Sequence, residues 1–348
     1  NFDWTDIPGA TSYGIQIDDS PDFLTPLINL IGLGTSQYTS NFPLPNTYYW
    51  RANARNAAGT SWSTVNYFVT GSSSVSWNGI VSPDWNTPMN WTPNYVPNGF
   101  QSVTIPLGTP FLPIAMIPGL ACNNLIISGG AVLQIQGTPT FTINGTLTIM
   151  NGGNLQNQGT IVIKGNLMNQ NPFAVAYGSG RFELKGTSAQ TISGQNIFQN
   201  LTLDNSAGLT IGGNTRINGI LTLVNGRVTL LGSYNLLLGS SAYMAAWPSA
   251  SRMVVATGTG ELQKEIQGTG LFTFPVGDAT GTAEYSPVTL NVRGGTFSGY
   301  SIGVNLVNAQ YPGTSGSYLG RSWSLAQHGS VSELVLDAKF QYVPADVS

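Results

Sequence analysis

Charge is what this chain of 348 residues has least of: Asp, Glu, Lys and Arg together make 8% of it, against roughly 25% in an ordinary domain. The formal net charge of −3 gives no electrostatic grip on nucleic acid or on anionic lipid. One cysteine, Cys122, excludes an internal disulfide, and one histidine, His328, leaves a zinc site or a catalytic triad short of members. Long apolar runs are missing too. The longest, "LTLVNGRVTLLG", is broken by Asn and Gly well short of a membrane span, so no membrane insertion is expected. A hydrophobic fraction of 41% with so little net charge also excludes a disordered chain. What remains is glycine (43 residues), Asn-Gly pairs and strand formers, as in "NGTLTIMNGGNLQNQGTIVIKGNL". The expectation is an all-β protein of several parts. The opening "NFDW" reads as the inside of something longer, so both ends are expected to continue in a larger protein.

Residues 1–70 are a series of short alternating strands bounded by turn residues: "FDW", "SYGIQID", "PLINLI", "SQYTS", "TYYWRANARN" and "STVNYFVT". Such spacing predicts a β-sandwich. Trp4, Tyr13 and the stretch "NTYYWRANARNAAGTSWST" resemble a fibronectin type III module. The resemblance implies a tyrosine-corner role for Tyr48 and core positions for Trp50, Ala52 and Ala54. The family's first strand, which would precede "FDW", is absent. Modules of this kind are spacers or scaffolds, so the resemblance implies architecture more than activity.

Residues 71–120 change texture, with Trp77, Trp85 and Trp91 set among Pro, Asn and Gly before a strand at "SVTIP". Three tryptophans in fifteen residues suit an aromatic platform for sugar rings, and they are the candidate ligand-binding residues. The competing and favoured reading is that they close the open end of the core that follows. The pattern "W-x-G…S-x-D-W…N-W-x-P…VP…V-x-IP" resembles a segment of large surface proteins from bacteria with type IX secretion, where it precedes a β-repeat region.

Residues 121–250 read as that repeat. Apolar-x-apolar triplets recur at 125–127, 147–149, 161–163, 182–184, 201–203, 221–223 and 236–238. The six steps from Leu125 to Leu236 span 111 residues (236 − 125), about 18–19 per step. Secondary triplets fall between them at 133–135, 209–211 and 228–230, and "INGTLTIMNGGNL" is nearly repeated as "INGILTLVNGRVTL". Two inward residues around one outward residue, several times per turn, predict a parallel β-helix with the main triplets stacked in register. Its length would be roughly 30 Å for six or seven rungs at about 4.8 Å each. Asn and Gly would take the corners, many at positive φ, with Asn side chains bonding from rung to rung. Stacked antiparallel hairpins are the alternative, since Asn-Gly also closes type I′ turns. Residues 251–348 abandon the repeat for longer alternating strands such as 332–342, which predicts a second, incomplete β-sandwich. "FPVGD", "YSPVTL" and "RSWSL" again resemble the C-terminal flank of the same surface proteins.

Chemistry is sparse. Between residues 121 and 243 the only acids are Glu183, outward in the middle of a triplet, and Asp204, in a corner; the only bases are Lys164, Arg181, Lys185, Arg216 and Arg227. Hydrolysis or elimination on a polysaccharide needs clustered carboxylates, metal ligands or a poised base, so no catalytic residue and no cofactor is expected. Asp18, Asp19 and Asp22 in "IDDSPDF" are candidate Ca²⁺ ligands, but they lack the EF-hand spacing and its distal Glu, so an ordinary loop is favoured. His328 in "QHGS" reads as a turn residue. The glycine pairs at 129–130, 152–153 and 212–213 lack the Lys and helix of a phosphate loop. Cys122 reads as a small hydrophobe at the first rung. Thr142, Thr148, Thr202 and Thr222 suggest an outward threonine face like that of an ice-binding rod.

The leading expectation is a non-catalytic structural or adhesive segment of a large secreted or cell-surface bacterial protein, as the resemblances imply. Its place would be the outer face of a Gram-negative-type cell. Its partners would be other surface or secretion-system proteins, glycans, or itself through exposed strand edges. A carbohydrate-binding module using Trp77, Trp85 and Trp91 is the alternative. A polysaccharide-acting β-helix enzyme, resting on fold analogy alone, is third.

Overall fold

The computed structural model describes residues 1–42, 47–71, 73–245 and 247–347; Asn46, the first residue of the longest module-like stretch, lies outside them. Strands hold 51% of the chain and helix 2%, so the protein is all-β. It divides into two compact units, Asn1–Ser73 and Ser74–Ser348.

In the first unit an antiparallel sheet runs in the order Ile28–Leu33, Ser12–Asp18, Thr47–Asn56, Gly59–Trp62, and Asn66–Val69 also pairs with Thr47–Asn56. A second sheet pairs Phe2–Asp3 with Gln37–Tyr38. Period-2 alternation puts Ile15, Ile17 and Tyr48 on one face of the larger sheet, where they bury against Phe2 with Trp4, Trp50 and Phe68 around them. Ala52 is buried as expected, while Trp50 and Ala54 are only half-buried.

The second unit is a three-faced β-solenoid of about eight turns. On the first face, strands at 102–105, 125–127, 147–149, 167–169, 190–193, 209–212, 228–230, 254–255 and 276–278 form one parallel stack. The third face stacks Leu120–Cys122, Thr140–Ile143, Thr160–Ile163, Arg181–Leu184, Asn200–Asp204, Ile220–Asn225 and Tyr243–Ala245. On the second face two runs, Ile114 to Asn157 and Val175 to Glu265, are joined by the bond from Asn157 N to Tyr177 O at 2.7 Å. All rung-to-rung pairing is parallel, which removes the hairpin alternative.

Parallel pairing extends beyond 121–250 in both directions. It begins at Ser74–Trp77, which pairs with Ser102–Ile105, and runs to Val276–Asp278. The segment expected to connect is therefore already solenoid, and so is the start of the segment expected to be a sandwich. What masked this is strand length: Ile114–Ala115 and Val254–Val255 are two residues each, too short to show a period.

The main triplets do not stack in a single file. Leu125 and Leu147 pair on the first face; Ile161, Phe182, Leu201 and Leu221 pair in series on the third; Leu236 lies on the second. A full turn takes 19 residues between Phe182 and Leu201 and 26 between Val228 and Val254. The apparent 18–19 period was a mixture of turns and face changes. All three faces use the same two-in, one-out triplet, so sequence alone cannot say which face a triplet occupies. The near-copies show this directly: Asn144-Gly145 turns from the third face to the first, and Asn218-Gly219 from the second to the third.

The unit closes with a long antiparallel pair, Val288–Val307 with Ser322–Phe340. Leu262–Glu265 and Gly270–Phe274 pair with the inner of these strands. Register shifts between Val292 and Ser301 bend the pair so far that Trp323 and Phe340, near opposite ends of one strand, come within 5.4 Å between ring centroids.

Candidate functional site

The third face carries a concentration of charge along the rungs expected from the sequence. Period-2 alternation turns Arg181, Glu183 and Lys185 outward while Phe182 and Leu184 fill the core. Arg181 Nε lies 3.1 Å from Glu183 Oε1, and Lys185 Nζ lies 2.7 Å from Oε2. Both oxygens of the carboxylate are thus engaged. Beside it runs a shallow groove of about 300 Å³, lined by hydroxyls and amides of successive rungs, among them Gln158, Thr160, Asn200, Thr202 and Thr222. At about 4.8 Å between rungs the groove repeats hydrogen-bonding groups on the scale of a sugar residue. The threonine row is interrupted: Val162 and Glu183 stand between Thr142 and Thr202, and Thr148 lies on the first face. An unbroken threonine face does not exist because the triplets are shared among three faces.

The tryptophans lie inside the molecule. Trp77, Trp85 and Trp91 are at most 1% exposed and meet edge-to-face, Trp77 with Trp91 at 5.0 Å and Trp85 with Trp91 at 4.6 Å. Trp85 also meets Phe141 of the third face at 5.1 Å. The indole of Trp77 donates to Phe111 O and that of Trp91 to Trp85 O. Asn90, fully buried, knits the overlying loop: its Oδ1 accepts from the N–H groups of Val81 and Ser82, and its Nδ2 donates to Ser82 Oγ and Asp84 O. A sugar platform needs an open ring face, and none of the three rings presents one. The cause is hydrophobic: the first turns leave core exposed at their end, and large aromatics cover it most cheaply.

The other candidates do not converge. Asp18 Oδ1 accepts from Asp19 N, and Asp22 Oδ1 accepts from Leu24 N, the local turns that short acidic side chains make. Among the described residues no three His, Cys, Asp or Glu side chains are placed to hold a metal ion. Cys122 is buried in the core, which pushes its thiol well above the ordinary range. Asp204 accepts from Asn225 Nδ2 at 2.7 Å. His328 lies within a strand and not a turn; its Nε2 is 2.7 Å from Glu261 Oε2 and 3.2 Å from Gln263 Nε2.

One cluster was invisible in the sequence. Above the last corner between the second and third faces, Lys264 of Leu262–Glu265 is 6% exposed and donates to three carbonyl oxygens, those of Gly239, Ser240 and Ala242. Burial lowers its pKa, and neighbouring Glu265 opposes that shift. Glu265 takes a bidentate pair from Arg216, 49 residues earlier, which holds its carboxyl below the ordinary value. Nothing in "LQKEIQ" foretells this, because the partners are set by rung stacking and not by local spacing.

Residues 76–194, about a third of the chain, are similar to a domain of unknown function (DUF8693). That stretch contains the tryptophan cap and the first turns of the solenoid. No curated protein and no solved structure matches the chain.

Proposed function

We propose that this chain is a non-catalytic structural and adhesive segment of a large secreted or cell-surface bacterial protein. The observation that carries the reading is the state of Glu183. The one acid in the middle of the third face has both oxygens committed to Arg181 and Lys185, so it is poised neither to activate water nor to protonate a leaving group. Around it the outward positions are mostly neutral hydroxyls and amides, the surface of a rod and not of a reaction centre. The resemblance of residues 1–70 to a fibronectin type III module, and of the flanks to type IX-secreted surface proteins, supports a spacer-and-stalk role on the outer face of the cell. On this reading the hairpin after the last rung belongs to a β-sandwich-like flank. Incubation with pectin, alginate and neutral glycans should release no reducing ends and no unsaturated sugars. Turnover that Glu183→Gln abolishes would overturn the reading.

A second reading is glycan binding without turnover. It rests on the third-face groove and not on Trp77, Trp85 and Trp91. Binding of a neutral oligosaccharide that Asn200→Ala and Arg181→Ala both weaken would establish it.

A further inference from the structure

The strand Ser322–Phe340 pairs along one edge with Val288–Val307, and its other edge has no strand partner among the described residues. Long open edges are normally covered or blunted. Register tells which groups this edge offers. Gln341 N donates to Pro287 O at 3.1 Å, in line with Val288 opposite Phe340 and Thr289 opposite Lys339. Successive residues of an antiparallel strand turn their N–H and C=O to opposite edges. Asp337 and Lys339 therefore bond inward, while Leu336, Ala338 and Phe340 point theirs outward. The ladder is uninterrupted from Leu336 to Phe340, and the apolar side chains of Val335, Phe340 and Tyr342 beside it are exposed.

We infer that this edge pairs antiparallel with the same edge of a second copy of the chain, about a two-fold axis at Ala338. Charge selects the register. An axis at Asp337 or at Lys339 sets like charges opposite each other. An axis at Leu336 sets Lys339 opposite Glu333, whose φ of 56° takes it off the ladder. At Ala338 the Asp337 of each copy lies opposite the Lys339 of the other, and Leu336 faces Phe340. Lys339 by itself repels a second edge, as lysines on edge strands do; in this register alone it is matched twice. Asp337 already pairs with Arg293, 3.1 Å away, but both side chains are more than half exposed, so the carboxylate remains open to a second cation.

The inference stands on edge geometry and does not depend on the absence of catalysis. Sedimentation equilibrium of the 348-residue chain tests it, with melting curves as the control for folding. Asp337→Lys and Lys339→Asp each set like charges opposite across the axis, and each should weaken self-association roughly tenfold or more. Mixed in equal amounts, the two variants regain both matched pairs and should form a heterodimer about as tight as the unaltered homodimer. Ala338→Pro removes an outward N–H and should abolish pairing while the chain still melts cooperatively. A chain that stays monomeric, a dimer indifferent to all three substitutions, or two variants that remain apart when mixed would each overturn the proposal.

Discussion

Lys264 Nζ donates to the carbonyl oxygen of Gly239 at 2.6 Å, and its remaining protons go to Ser240 O and Ala242 O at 2.8 and 2.7 Å. Elsewhere on the third face such corner carbonyls lie beneath the next rung. Here that face ends at Tyr243–Ala245, while the first face continues to Val276–Asp278 and the second to Leu262–Glu265. A single ammonium stands in for the missing donors and caps the stack. Lys264→Met keeps the stem but takes a donor from three carbonyls, of which Gly239 O keeps the Ala242 N–H, and should cost about 2–4 kcal/mol in chemical denaturation. An unchanged midpoint would show that water replaces the ammonium freely.

Acid should loosen the same corner. The hydrogen bonds and charge of Arg216 hold the Glu265 carboxyl below its ordinary value of 4.5. As the pH falls the unfolded chain takes up the proton first. The stabilisation is therefore complete above about 4.5 and is lost as the pH falls through the lower folded value. Glu265→Gln should be less stable than the parent at neutral pH and should lose less on acidification between pH 5 and 3. Parallel melting-temperature profiles for the two proteins would refute this.

Inward positions should tolerate no charge. Leu221 is fully buried and stacked between Leu201 and Met244, whereas its neighbour Thr222 points outward. Leu221→Asp should unfold the solenoid, since removal of the leucine alone costs about 2–5 kcal/mol and the buried carboxylate adds several more. Leu147→Asp on the first face should do the same, and Thr222→Asp should shift the melting temperature by only a few degrees.

The triplets made the solenoid legible because its core obeys a rule of two inward residues per short strand, and 3-residue strands such as Leu125–Ile127 and Leu147–Ile149 show it without help from context. Face assignment was not legible. It depends on loop lengths between triplets, and those vary without a local signal, as the exposed Phe173 in a long excursion after Leu167–Asn169 shows. Interior polar residues also broke the pattern. Asn157, Gln190, Asn196 and Asn205 are buried, and each is satisfied by a partner many residues away or by its own turn, as when Tyr177 Oη donates to Asn196 Oδ1. The candidate site was half visible. Glu183 was placed outward correctly from its triplet, but its two cations and the groove beside them follow from rung stacking.

At the corners after Asn144 and Asn218 the glycine serves close approach and not an unusual dihedral angle, whereas Gly152 and Gly226, which also follow asparagines, do take positive φ. Positive φ occurs at many glycines, but neither Gly145 nor Gly219 is among them. At Gly219 a Cβ would stand 2.7 Å from both Gln199 O and Asn200 Oδ1, in the corner of the preceding rung. That same Asn200 Oδ1 accepts from Ile220 N at 3.0 Å, and Asn124 Oδ1 accepts from Thr146 N at 2.8 Å in the equivalent arrangement below Gly145. Glycine lets the rungs meet, and an asparagine of the preceding rung, not the one beside the glycine, pairs the N–H that the corner leaves over. Asn200→Ala should therefore cost about 1 kcal/mol, the loss of one part-buried hydrogen bond. Gly219→Ala should cost more, because backbone must move to admit the methyl group, and moving it also breaks the Asn200 bond. In the double variant the two losses should overlap, so the sum of the single costs exceeds the measured total. Equilibrium denaturation of the four proteins decides it: full additivity would mean that the glycine and the asparagine act independently at this corner.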